Sequence, residues 1–267
     1  MKKSEGIAWS VVNLLFLAGT ILVNGLANSL PINGLTTGEI SDRYTNLFVP
    51  AGFTFAIWGV IYLLLAVFVF AALAGALRGR EATLGAIGRI GFWFALSCAA
   101  NMGWILAWHH LRVGLSLLIM LVLLVSLLAI YLRLGIGRSP VPHRERLAIH
   151  LPFSVYLGWI SVATIANASA VLVDAGWNRF GLPETVWVTI AIGMALVLGA
   201  VMLHRRTDFA YVAVVLWAFY GISMKNHVLE GPERAYVANT ATAALAALAA
   251  ALFFILLRQI KKAPEGP

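Results

Sequence analysis

Charge is scarce in this chain. Asp, Glu, Lys and Arg make up 11% of its 267 residues, against about 25% in soluble globular domains, so an ordinary soluble fold is excluded. Cysteine is nearly absent. The single Cys98 rules out an intrachain disulfide. It lies within an apolar run and reads as a small buried packing residue. No Asp or Glu falls deep inside an apolar run; Asp174, Glu184 and Asp208 stand at run ends. Ion-coupled carriers usually rely on intramembrane acids or histidines, which counts against that mechanism. No zinc-type His/Cys spacing, serine–histidine–acid set or phosphate-binding loop can be drawn. No catalytic residue, metal ligand or required cofactor is therefore assigned.

Long apolar runs are what the chain has instead. It is 61% hydrophobic with a mean hydropathy of +0.89, which predicts an all-α polytopic membrane bundle embedded in a lipid bilayer. Eight spans can be read, at 7–28, 54–77, 89–110, 113–133, 147–173, 184–203, 209–228 and 235–257. Most reach the roughly 20 residues that cross the hydrocarbon core. Lys225, Asn226 and His227 interrupt the end of the seventh. The net charge of +8 invites a nucleic-acid partner, but the basic residues alternate between loops and cluster on no motif. With the N-terminus in the cytoplasm, fourteen of the 19 Lys and Arg residues fall inside. Arg43, Arg112, Arg179, Lys225 and Arg234 fall outside. The positive-inside rule then predicts both termini in the cytoplasm and an even number of spans. Short cytoplasmic loops suit a bacterial plasma membrane.

The first span has a basic start and a Gly25-Leu26-Ala27 triplet, as a cleaved signal peptide would. It also carries Trp9, Asn13, Thr20, Asn24 and Asn28 on one helical face, a stripe that a signal peptide does not need, so a retained helix is expected. The connection 29–53, with Pro31, Gly34, Thr36, Thr37, Gly38, Pro50 and Gly52, is long enough for a lid or a plain connector. The inside segments 78–88 and 134–146 read as basic loops facing anionic lipid.

Three helices carry polar and aromatic residues on one face. Span two has Phe55, Trp58 and Tyr62; span three has Trp93, Ser97, Asn101, Trp104 and Trp108; span five has Pro152, Tyr156, Trp159, Ala163 and Asn167. Span one adds its asparagines. Most tryptophan in membrane proteins sits in interfacial belts, whereas these clusters sit inside the spans. Each asparagine alone suggests an interhelical hydrogen bond worth about 0.6 kcal/mol. Together the stripes suggest a cavity for a flat, largely apolar ligand. Trp9, Trp177, Trp187 and Trp217 read as anchors or packing. His109 and His110 close span three beside the long connection; metal or haem ligation competes there with a solvated pair, and the solvated pair is expected.

These motifs resemble the tryptophan-rich sensory protein family, bacterial relatives of the translocator protein or peripheral benzodiazepine receptor (TspO/MBR). The family's second helix has prolines, an aromatic segment and W-x-x-x-Y, matched by Pro50, Trp58 and Tyr62. Its third has N-x-x-W followed by two aromatics; Asn101 and Trp104 match, and Ala107-Trp108 stands where the family has the aromatic pair. Its fifth has P-Y-x-x-W-x-x-x-A-x-x-x-N; Trp159, Ala163 and Asn167 stand at the matching W, A and N spacing, with Pro152 and Tyr156 before them. The resemblance covers about residues 7–173 and makes this a long variant with extra C-terminal helices. It implies a five-helix unit at 1–175 with a lid at 29–53, followed at 176–267 by three further helices and a short cytoplasmic tail. It further implies binding of a porphyrin or haem-like tetrapyrrole, with a homodimer as partner state. Phe55, Trp58, Asn101, Trp104, Trp108, Trp159 and Ala163 would line the pocket. Stripe position adds Tyr62 and Asn167. A small-molecule transporter and a porphyrin-modifying enzyme are the alternatives to a receptor or sensor.

Overall fold

The computed structural model describes residues 1–30, 32–138 and 140–262, Lys262 through its backbone alone. Pro31, counted in the lid connection, lies outside the described residues. Every regular element among the described residues is helical. Among the described residues seven helices are long and apolar enough to cross a membrane, and the count is eight if one bent pair forms a single span.

Helix α1 (Lys3–Ser29) is followed by the connection, which contains a short helix α2 (Thr37–Arg43). A 3-10 turn, Gly52–Ala56, leads into α3 (Ile57–Leu77). Then come α4 (Glu81–Ile90), α5 (Trp93–His109) and α6 (Val113–Leu134). One α-turn at His143–Glu145 and a π-turn at Arg146–His150 open α7 (Leu151–Asp174). The chain ends with α8 (Glu184–Arg206), α9 (Phe209–Val228) and α10 (Pro232–Lys262).

The third span differs from its sequence reading. The segment 78–88, expected as a basic loop, is mostly helix α4, and the span is broken, with 49° between α4 and α5. Two features cause this. Leu84, Ile87 and Ile90 recur every three residues and are buried, an amphipathic period hidden among glycines and arginines. Gly91 then takes φ +53°, a left-handed conformation that glycine adopts without a Cβ clash, and its N–H closes α4 on the Ile87 carbonyl. At 1.5 Å per residue α5 alone is about 26 Å long, short of the roughly 30 Å core.

Five long helices close a ring in the order α1, α3, α7, α6, α5, with α5 packing back on α1. The other three form a layer in which α9 packs against α7, α8 and α10. Where α9 crosses α7, Gly158 lets the backbones close up: a Cβ there would meet Val214 at 3.1 Å and the Tyr211 carbonyl at 3.2 Å.

Candidate functional site

Ring closure turns the stripes of α3, α5 and α7 toward one another at the end covered by the connection. Trp58 of α3 is the hub. Its ring stacks on Tyr62 at 5.6 Å and on Trp104 at 5.8 Å, while Trp159 meets it edge-on at 6.3 Å. Trp104 stacks on Trp108 at 6.2 Å, and Tyr44 of the connection tilts against Trp108 at 5.9 Å. Phe55, on the turn before α3, meets Trp159 edge-on at 6.0 Å. One column therefore runs Tyr62, Trp58, Trp104, Trp108, Tyr44, with offset and tilted contacts of the kind aromatic quadrupoles favour.

Of the nine candidate residues, Phe55, Trp58, Trp104, Trp108, Trp159, Ala163 and Asn167 line one small cavity. Thr37, Ser41 and Pro50 of the connection, with Val162 and Ala166, complete its wall. Tyr62 lines a neighbouring groove instead. Asn101 lines neither: it accepts from Asn24 at 2.7 Å and donates to the Tyr156 hydroxyl at 2.8 Å, crosslinking α1, α5 and α7. Asn167 is likewise hydrogen-bonded to Ser116 of α6 at 3.2 Å, while its residue still borders the cavity.

The cavity is nearly filled by its own aromatics, leaving about 40 Å³. That is room for a few waters and far below the roughly 300–1,000 Å³ of ordinary ligand sites. The groove beside it measures about 500 Å³. It runs between α1 and α3 under the connection, past Asn24, Asn28, Thr36, Glu39 and Tyr62. Thr37, Phe55 and Trp58 belong to both spaces and form the partition between them. Two indole N–H groups on the cavity residues, Trp104 Nε1 and Trp159 Nε1, are buried and donate to nothing in the protein. Trp108 Nε1, by contrast, donates to the Thr37 carbonyl at 3.2 Å.

The connection is fastened over this end of the bundle by two sets of ties. Its first half is held by the ring. Asn28 accepts from the Thr37 N–H at 3.3 Å, and Asn33 donates to the His109 carbonyl at 2.7 Å. His109 corrects the expectation of a solvated pair: it is fully buried, with Nε2 3.1 Å from the Thr37 hydroxyl. His110 remains exposed. The second half of the connection is held by the layer. Glu184 accepts from the Leu47 N–H at 2.9 Å and Asn226 donates to the Leu47 carbonyl at 3.0 Å. Lys225 pairs with Asp42 at 2.6 Å. Gly221 accepts from the Ala51 N–H at 3.0 Å, and Trp217 Nε1 donates to the Thr54 carbonyl at 3.0 Å.

Sequence reasoning named neither set of ties. One signal was available: Lys225 and Asn226, the polar residues that interrupt span seven, are the ones that reach the lid. Within the connection, Glu39 closes a capping box with Thr36, whose N–H and hydroxyl hold the Glu39 carboxyl below the usual carboxylate range. Among the described residues no group of three or more His, Cys, Asp or Glu comes together that could hold a metal ion.

No curated protein and no solved structure matches the chain. The pattern of one family, described as TSPO-like protein, matches residues 10–255. The match does not stop near residue 173, where the resemblance was expected to end; it runs on through the three-helix layer into α10. By that coverage, from α1 to α10, this multi-pass membrane protein belongs to the TSPO-like protein family.

Proposed function

We propose that the protein is a membrane receptor or sensor that binds a flat, largely apolar ligand of the tetrapyrrole class beneath the lid. The observation that supports this reading is the pair of buried, unpaired indole donors, Trp104 Nε1 and Trp159 Nε1, on residues that line an aromatic cavity. A buried donor without a partner costs about 1–3 kcal/mol, and a ligand with hydrogen-bond acceptors would relieve that cost. The stacked faces of Trp58, Trp104 and Trp108 suit a planar ring system.

The cavity as it stands is closed. A bound ligand would occupy the groove and the cavity together, with Trp58 and Phe55 turning aside as the partition. Together the two spaces reach the range of ordinary ligand sites. Asp42, on the groove rim, is already paired with Lys225. Fourteen of the 19 basic residues would face the cytoplasm with both termini, and the lid would then lie on the outer side of a bacterial plasma membrane.

The test is a titration of protoporphyrin into the protein in lipid nanodiscs, read by tryptophan fluorescence. Saturable quenching is expected, with apparent affinity at least tenfold weaker in Trp58→Ala. Quenching that never saturates, or that Trp58→Ala and Trp159→Ala both leave unchanged, would sink the reading.

A further inference from the structure

The largest of the three cavities described lies outside the ring. It is a groove of about 660 Å³ between α7 and α8, open on one side. Leu172 and Val173 of α7 and Ile190 and Met194 of α8 border it and are exposed on the membrane-spanning surface. We propose that this groove is a binding site for one zwitterionic phospholipid of the leaflet at the lid end, with an acyl chain between α7 and α8 and the headgroup at Arg179 and Glu184.

Length is the first argument. From Glu184 at the mouth to Met194 at the floor the groove follows α8 for about 15 Å, at 1.5 Å per residue. Half of the roughly 30 Å hydrocarbon core is the same length, so the groove holds the chain of one leaflet and stops at the midplane.

The chemistry of the walls is the second. Every polar side chain along the chain-binding part already has a partner. Thr164 donates to the Ile160 carbonyl at 2.7 Å and Ser169 to the Ile165 carbonyl at 3.0 Å. The walls therefore ask nothing polar of their occupant, and the small Ala168 and Ala191 leave it width.

The mouth is the third. Trp177 and Trp187 meet there at 4.6 Å, as indoles do at the headgroup level. The Arg179–Glu184 pair is closed at 2.9 Å, with side chains 46% and 25% exposed. A positive and a negative group side by side complement the phosphate and ammonium of a zwitterionic headgroup.

The occupant would touch the lid as well. Asn46 and Phe48 border the groove, and Glu184 accepts from the neighbouring Leu47 N–H. Helix α7 supplies Ala163 and Asn167 to the aromatic cavity and Thr164 and Ala168 to this groove.

The test uses the full chain purified through repeated detergent exchange, then native mass spectrometry with added phosphatidylethanolamine or phosphatidylglycerol. One retained phosphatidylethanolamine per protein is expected. Retention should fall at least tenfold in Ala168→Trp and in Ala191→Trp, and Arg179→Gln should abolish the preference over phosphatidylglycerol. Equal retention in wild type and both tryptophan variants means surface lipid only and overturns the proposal. So does a dimer that Ala168→Trp dissociates. If the tryptophan variants fail to fold, a phosphatidylethanolamine with a diazirine near the chain end decides on the wild type. Labelling centred on residues 164–173 and 184–194 supports the groove, and labelling spread over other lipid-facing helices overturns it.

Discussion

The five-helix ring and the three-helix layer are held together by different means. Polar side chains cross the ring: Asn24, Asn101 and Tyr156 join α1, α5 and α7, and Asn167 joins Ser116. Among the described residues no amide pair crosses between the layer's helices in their buried middle; one hydroxyl pair, Ser223 with Thr242 at 2.8 Å, does, and small residues bring the helices close. Ala191, Ala195, Ala238, Ala241 and Ala244 are buried, and Gly199 sits where a Cβ would fall 2.9 Å from Leu248. Small residues let helices approach in lipid, where no water drives them together. Crossing amides fix register and rotation as well as closeness. The ring therefore carries oriented groups at its centre, whereas the layer sends Glu184, Trp217, Lys225 and Asn226 to one end, against the lid.

Substitutions can break this contrast. The largest effect should come from Trp104→Ala, which removes the middle of the column; truncations of this kind cost about 3–5 kcal/mol. Trp187→Ala, at the edge of the layer, should cost less than half as much in the same thermal melt. Equal losses would mean that the column is ordinary filler.

Gly221→Ala comes next. The new Cβ would lie 2.1 Å from the Thr54 hydroxyl oxygen, so α9 or the turn before α3 must shift, at about 1–3 kcal/mol. Gly193→Ala on α8, with nothing within 4 Å, should be neutral or slightly stabilising. Protease nicking of the lid should increase only in the first variant.

Asn101→Leu removes two crosslinks at once, which at about 0.6 kcal/mol each predicts a loss of about 1 kcal/mol. No crosslink lies across the cavity mouth at Asn101, so tetrapyrrole quenching should weaken less than in Trp58→Ala.

Lys225→Gln is the smallest of these, below about 1 kcal/mol because the pair is partly exposed. Hydrogen exchange of the lid amides around Leu47 should rise, and more at low salt than at high salt. Acid acts on the other half. The Glu39 carboxyl is held below its ordinary value by Thr36. The capping contribution is therefore complete above that value and fades as pH falls through and below it. Exchange in α2 should increase on acidification below the ordinary value of 4.5, and Glu39→Gln should remove the pH dependence.

The spans were legible because apolar length is a local property, and helical phase placed Trp104 with Trp108 on one face and Trp58 with Tyr62 on another; the stacking of Trp58 of α3 on Trp104 of α5 joins them in one column. Three things were not legible. The break at Gly91 was masked by arginines and glycines that resemble a loop. The volume of the cavity depends on how far the indoles of α3, α5 and α7 interpenetrate, and no single helix records that. The ties of the lid join residues far apart in sequence, 183 positions for Asp42 and Lys225, so they leave no periodic trace. Asn101 was assigned correctly to the interior, but its two partners lie on other helices and turn it from a wall into a crosslink.

Thr37 and Leu47 are tied to separate bodies, the first to α1 and α5, the second to α8 and α9. To polymer statistics such a segment is no longer one long chain but several short ones, each with few conformations to explore. Its release is then a succession of separate unpinnings, not a single swing. Partial openings, with one pin undone and the other intact, become distinct states, and a ligand or a lipid could favour any one of them without disturbing the rest.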